Sequence, residues 1–70
     1  MRQRTEYEHI RSILQRSEVD GPLTAREIAD LLREHDVDID SPHRVATILG
    51  RHARRGEVEV IDGQPYRYRV

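Results

Sequence analysis

The sequence predicts a small α+β fold, mainly α, in which three helices precede a C-terminal two-stranded β-hairpin. Apolar residues recur at helical spacing in three segments, and turn-forming residues separate those segments. Residues 57–70 instead alternate between apolar and charged side chains on both sides of an Asp-Gly pair, which is typical of a hairpin. With 70 residues, the chain supports one small core and is interpreted as a single domain, 1–70.

The first helix is predicted within residues 4–17, where an apolar stripe runs between charged residues. The stripe consists of Tyr7, Ile10, Ile13 and Leu14. Gly21 and Pro22 predict a turn, because glycine permits unusual dihedral angles and proline disfavours helix in the residue before it. We expect Leu23 to leave this turn in extended form.

The second helix is predicted over residues 25–34. Thr24 precedes Glu27 by three positions, which is the spacing of a capping box at the start of a helix. From 36 to 40, acids alternate with β-branched residues, which predicts an extended segment whose apolar side chains turn inward. These inward residues are Val37 and Ile39.

The third helix is predicted over residues 42–55. Ser41 is a suitable N-cap, Pro42 suits the first helical position, and Gly56 provides a left-handed stop. A helical wheel places five residues on the inward side of the helix: Val45, Ile48, Leu49, His52 and Ala53. Of these, His52 is expected to be a half-buried imidazole at the edge of the core. The wheel turns outward His43, Thr47, Gly50, Arg51 and Arg54, with Arg44 and Arg55 on the flanks.

The register of the hairpin is predicted from the two faces of the ribbon. One register gathers apolar side chains on one face and alternating charges on the other, an arrangement that stabilises a two-faced ribbon. Its pairs are Val58 with Tyr68, Val60 with Tyr66, Glu57 with Arg69 and Glu59 with Arg67. We expect a loop of about three to five residues around positions 62–64.

Charge is unevenly distributed along the chain. Residues 41–56 hold four arginines, two histidines and no acid, although the whole chain has a net charge of -1. Residues 18–40 hold eight acids against two arginines, a net of -6. A basic face on an otherwise acidic molecule favours a polyanionic partner. The simpler interpretation is a solvated arginine face that pairs with acids of the second helix.

Nearly the whole chain follows one known pattern of helices and strands. The third segment combines a capping serine, regularly spaced core positions, a closing glycine and a first strand. These residues are Ser41 and Pro42, then Val45, Leu49, His52, Gly56 and Val58, and the stretch from Leu23 to Leu32 supplies a matching second helix. The pattern resembles the winged helix-turn-helix family, and the resemblance implies binding of double-stranded DNA in a role related to transcription regulation.

The resemblance makes residues 42–55 the recognition helix and residues 57–70 the wing. Because such helices contact base edges with their N-terminal residues, different positions receive different expected contacts. We expect base contacts from His43, Arg44 and Thr47, phosphate contacts from Arg51, Arg54 and Arg55, and wing contacts from Gln64 and Arg67. Gly50 is expected to allow close approach of the backbone.

Other classes of function find little support in the sequence. No catalytic, cofactor-binding or metal-binding residue is predicted, since the four histidines are scattered and lack the paired spacing of a zinc site. The absence of cysteine and of an apolar run near the roughly 20 residues that cross a bilayer predicts a cytoplasmic protein away from the membrane. The chief alternative is a protein-interaction adaptor, followed by RNA binding. We expect a monomer, or a weak homodimer through helix one and the chain terminus.

Overall fold

Over residues 5–19, 21–39 and 41–70, which a computed structural model describes, the chain forms three helices and a three-stranded antiparallel sheet. The helices are α1 (Glu6–Arg16), α2 (Ala25–Glu34) and α3 (Pro42–Ala53). The strands are β1 (Leu23–Thr24), β2 (Glu59–Ile61) and β3 (Arg67–Arg69). The predicted α+β class with a C-terminal hairpin is confirmed.

Each helix begins at a hydroxyl-bearing N-cap. The backbone N–H of Glu27 donates to Thr24 Oγ1 over 3.1 Å, and the N–H of Thr24 donates back to Glu27 Oε1 over 2.9 Å, so the predicted capping box is confirmed. Ser41 caps α3 as predicted. Thr5 caps α1 by accepting from the N–H of Glu8 over 3.1 Å, a cap that was not predicted although Thr5 precedes Glu8 by the same three positions.

Helix α2 ends in a Schellman motif rather than in a fully extended segment. The N–H of Val37 donates to the carbonyl of Leu32 over 2.9 Å, and the N–H of Asp36 donates to Arg33 over 3.1 Å. Asp36 has a φ of 58°, so the prediction that it is extended is wrong. Ile39 turns inward as predicted, with 3% of its surface exposed.

Helix α3 ends in the same kind of motif. Gly56 has a φ of 80°, which confirms it as the left-handed stop. Its N–H donates to the carbonyl of Ala53, and the N–H of Glu57 donates to that of His52 over 3.1 Å. The helix therefore ends at Ala53 rather than at residue 55, because residues 54 and 55 already belong to the closing turn.

The sheet has β3 as its central strand, with β1 on one side and β2 on the other. The observed pairs are Glu59 with Arg69, Val60 with Tyr68, Ile61 with Arg67, Leu23 with Tyr68 and Thr24 with Arg67. The predicted hairpin register is therefore wrong by two residues. A slip of two leaves every side chain on its original face, so alternation alone cannot distinguish the two registers. The five residues 62–66, named here the hairpin loop, connect β2 to β3.

The core draws apolar side chains from all three helices and from the sheet. Its buried residues are Tyr7, Ile10, Ile13, Ile28, Ala29, Leu32, Ile39, Val45, Leu49, Val58 and Tyr68. Val60 and Tyr66, which the predicted register places with them, are 37% and 53% exposed. Tyr66 lies in the hairpin loop rather than opposite Val60, which explains its exposure. Helix α3 buries one side in this core and leaves the other side open.

Candidate nucleic-acid interface

The outward side of α3 follows from the burial of its inward side. Val45 and Leu49 are fully buried, one turn apart, and this packing fixes the rotation of the helix about its axis. His43, Thr47 and Arg51 are consequently exposed. The predicted division of α3 into an inward and an outward side is therefore confirmed.

The middle of this outward side is shallow and concave. A depression of about 400 Å³ is lined by Ala46, Thr47, Gly50, Arg51 and Arg54. Apart from its chain neighbours and the nearby backbone of its own helix, no described atom lies within 4 Å of the position that a Cβ at Gly50 would occupy, so the helix is open to a partner there. Thr47 donates its hydroxyl hydrogen to the carbonyl of His43 over 2.9 Å, which leaves the lone pairs of its Oγ1 available as acceptors.

The hairpin loop lies beside the first turns of α2 and α3. A groove of about 680 Å³ separates these elements. It is lined by Thr24, Ala25, Arg26, Pro42, Ala46, Gly63, Gln64, Pro65, Tyr66 and Tyr68. Ala46 also lines the depression on α3, so the groove and the depression meet at this residue. The structure therefore places Gln64 in the same groove as Pro42 and Ala46 of α3.

Arg67 occupies a different place from Gln64. It lies opposite Thr24 and Ile61 in the sheet and, by strand alternation, on the face opposite to Tyr68. Its charge contributes to lowering the pKa of Glu27, although the main cause is hydrogen bonding from the backbone and then the side chain of Thr24. Arg67 does not line the groove beneath the hairpin loop. The predicted pairing of Glu59 with Arg67 is wrong, because Glu59 lies 3.1 Å from Arg69.

Arg44 is held by an acid from the first helix. Its Nε donates to Glu6 Oε2 over 2.8 Å, and its Nη2 donates to Glu6 Oε1 over 2.6 Å. The hydrogen bond from Arg44 holds the pKa of the Glu6 carboxyl below its ordinary value, and the charge of Arg51 adds to this effect. Sequence reasoning missed Glu6, which is 38 positions away and has no periodic relation to α3.

The other arginines of residues 41–56 remain available to an external anion. Arg51, Arg54 and Arg55 are exposed, and none of their side chains makes a hydrogen bond or ion pair with another residue of the described ranges. Within the same ranges, no acid of α2 pairs with an arginine of α3. Asp30 lies 3.7 Å from Arg33 of its own helix, and Glu27 caps α2. Two further acids of residues 18–40, Asp20 and Asp40, lie outside the described residues.

His52 joins the last turn of α3 to α1. Its ring stacks on that of Tyr7, and its Nδ1 lies 3.2 Å from Glu57 Oε1. The side chain is 18% exposed, which confirms the predicted half-buried imidazole. The expected pairing of Glu57 with Arg69 is wrong, because the Schellman turn directs Glu57 to His52 instead.

The described part of the chain holds neither a cluster of metal-binding side chains nor a helix that could span a membrane. Within it, no three His, Asp or Glu side chains gather where they would hold a metal ion. Its helices are too short and too polar for any of them to cross a bilayer. Comparison of the chain with protein-family models, with curated proteins and with solved structures gave no match.

Proposed function

We propose that this chain is a winged helix-turn-helix domain that binds double-stranded DNA and takes part in transcription regulation in the cytoplasm. One observation carries the proposal. The outward side of α3 and the turn that closes it present Arg51, Arg54 and Arg55, whose side chains make no hydrogen bond or ion pair with another described residue, and the depression on α3 meets the groove beside the hairpin loop at Ala46. Helix α3 is the recognition helix, and the hairpin is the wing.

The dimensions of α3 suit the major groove of DNA. Its 12 residues form a cylinder about 18 Å long at about 1.5 Å per residue, and the major groove, about 12 Å wide, admits one α-helix. His43, Arg44 and Thr47 lie in its first half, where recognition helices contact base edges. The Thr47 oxygen accepts from a base amino group, while its methyl group contacts the methyl of thymine.

The remaining cations hold the backbone of the DNA. Arg51 and Arg54 line the depression on α3, and Arg55 lies just beyond the helix, so all three bind phosphates on one side of the groove. Gln64 contacts DNA from the hairpin loop. Arg67 lies on the outer face of the sheet and makes a peripheral phosphate contact. Because the net charge of the chain is -1, attraction comes from this local face rather than from the molecule as a whole.

Titration of duplex DNA at several salt concentrations tests the proposal. We expect log affinity to fall with log salt at about -0.9 for each neutralised phosphate, or about -3.6 for about four contacts. Arg51→Ala and Arg54→Ala should each weaken binding and reduce the slope by about 0.9. Arg16→Ala is the matched control, since Arg16 is an exposed arginine in the last turn of α1. Unchanged binding in both α3 variants would contradict the proposal.

The second candidate is a protein-interaction adaptor that does not bind DNA. The groove beside the hairpin loop favours it, because apolar residues such as Ala25, Pro42 and Pro65 line much of the groove. Tyr66, also in its lining, is 53% exposed, and exposed aromatic rings are common at protein interfaces. Failure to bind any duplex at low salt, with a stable protein complex recovered by affinity purification, supports this candidate. Preference for duplex RNA over DNA supports an RNA-binding role instead.

A further inference from the structure

The ion pair between Glu6 and Arg44 lies at the end of α3 that would enter the major groove. Glu6 is the first residue of α1, and Arg44 lies in the first turn of α3. The side chains are 42% and 59% exposed, so the pair stands at the surface and is open to a partner. An acid in this position is unexpected for a polyanion interface, since its charge repels phosphate.

The geometry of the pair leaves one edge of the guanidinium unused. Glu6 accepts from Nε and Nη2 of Arg44, which occupies one of the two forked edges of the group. An arginine has five N–H donors, so the edge formed by Nη1 and Nη2 retains parallel donors. That edge matches the O6 and N7 acceptors that guanine presents in the major groove.

We propose that Glu6 is a positioning residue that holds Arg44 with its free edge directed at a guanine. This inference rests on the proposed function, because it requires α3 to lie in the major groove. The two-point contact fixes the plane of the guanidinium as well as its position. A side chain ordered before binding loses less conformational entropy on binding, and this improves discrimination between bases.

The proposal and a simple charge effect predict different results for Glu6→Gln. Loss of a negative charge beside DNA by itself tightens binding to every duplex equally. If Glu6 positions Arg44, the variant loses preference for guanine at one site, whatever happens to its overall affinity. A bidentate contact from arginine to guanine discriminates by about 1 to 3 kcal/mol, which is about 5- to 150-fold. We expect Glu6→Gln to lose most of that ratio.

The experiment starts with selection of a preferred duplex from a randomised library by the unaltered chain. That duplex, and versions with each guanine replaced in turn, are then titrated with Glu6→Gln and Arg44→Lys. Arg44→Lys keeps the charge but removes the fork, so it should lose preference for the same guanine. Glu59→Gln is the matched control, because Glu59 also pairs with an arginine, Arg69, but lies on the sheet. Thermal unfolding of each variant shows that it is folded.

Each outcome of these titrations either supports or overturns the positioning role of Glu6. Loss of preference at one shared guanine in both Glu6→Gln and Arg44→Lys, with Glu59→Gln unchanged, supports the proposal. Retention of the full guanine preference by folded Glu6→Gln overturns it, as does a selected duplex whose recognition does not depend on Arg44. Salt-dependent binding of the unaltered chain without any preferred sequence overturns this inference alone, whereas absence of duplex binding overturns the proposed function as well.

Discussion

The ring of His52 lies 3.6 Å from the ring of Tyr7, measured between centroids, and the two planes differ by 10°. The stack joins the first turn of α1 to the last turn of α3, while Glu6 and Arg44 join α1 to the opposite end of α3. Helix α1 is therefore attached to α3 at two points. The first turn of α1 thus contacts α3 near both of its ends.

The stack predicts that His52→Ala destabilises the fold. Loss of the aromatic contact removes about 0.5 to 1.5 kcal/mol, and the loss of buried surface adds to it. Urea unfolding followed by circular dichroism measures the change. His9→Ala is the control, because His9 is an exposed histidine within α1. Equal stability of the two variants would show that the stack contributes nothing.

Acidification should weaken the fold through two carboxyls. Hydrogen bonding from Arg44 lowers the pKa of Glu6, and hydrogen bonding from Thr24 lowers that of Glu27, both from an ordinary value of 4.5. A lowered pKa in the folded state means that the stabilisation is complete above pH 4.5 and is lost as the pH falls through the folded pKa.

Unfolding midpoints measured between pH 7 and pH 3 test this sign. The variant Glu6→Gln, Glu27→Gln should have a flatter profile than the unaltered chain, because neither amide titrates. The difference should be small, since Glu27 is exposed and Glu6 is partly exposed, so water screens the interactions of both side chains. Parallel profiles would mean that these carboxyls are not coupled to folding.

The capping box of α2 predicts a cost for Thr24→Ala. The substitution removes the acceptor for the N–H of Glu27, and loss of such a cap typically costs about 1 kcal/mol. Thr47→Ala is the matched control, because its hydroxyl bonds within the interior of α3 and alanine favours helix. Denaturant unfolding should therefore give Thr24→Ala a clearly lower free energy of unfolding than Thr47→Ala. The opposite order would exclude a stabilising role for the cap.

Substitution by alanine should change the stability of the fold in opposite directions at Gly50 and Gly56. Gly50 is helical with open space around it, so Gly50→Ala should stabilise the fold by about 1 kcal/mol. Gly56 has a φ of 80°, so Gly56→Ala should destabilise by about 1 to 2 kcal/mol. Gly56→Asn should recover part of that loss, because asparagine tolerates this conformation. Calorimetry measures the stability of each variant against that of the unaltered chain.

Gly50→Ala also tests the outward side of α3. If DNA approaches the backbone at Gly50, the added methyl group weakens duplex binding while the protein itself becomes more stable. Binding is measured by titration under the same salt conditions for both proteins. Unchanged affinity would mean that the DNA stands away from this point of the helix.

The observed register predicts unequal roles for two tyrosines. Tyr68 is 8% exposed and pairs with both edge strands, whereas Tyr66 is 53% exposed in the hairpin loop. Tyr66→Ala should cost about 0.5 kcal/mol or less, and Tyr68→Ala about 3 kcal/mol or more. Urea unfolding compares them. Similar losses would instead favour the register that places Tyr66 opposite Val60.

Local signals in the sequence predicted the helices well. The bounds of α2 and the cap of α3 depend on residues within one turn of each other, such as Thr24 with Glu27 and Ser41 with Pro42. The outward side of α3 followed from periodicity alone. Such features need no knowledge of the rest of the fold, which is why the sequence sufficed for them.

Contacts between distant segments were not predictable in the same way. Strand β1 has only two residues, too few for alternation to be recognised. The slip of the hairpin kept both faces unchanged, so the pattern of faces could not select between the two registers. The partner of Arg44 comes from α1, and nothing in the pattern of α3 indicates an acid so far away in the chain.

The order of the strands has a consequence for synthesis of the chain. Strands β1 and β2 never pair with each other, since β3 lies between them. A nascent chain that ends at residue 66 therefore contains the segments of β1 and β2 but lacks the strand that pairs with both of them. The pairing edges of β1 and β2 therefore have no partner until the segment Arg67–Arg69 is made, and this one segment supplies the partner of both strands.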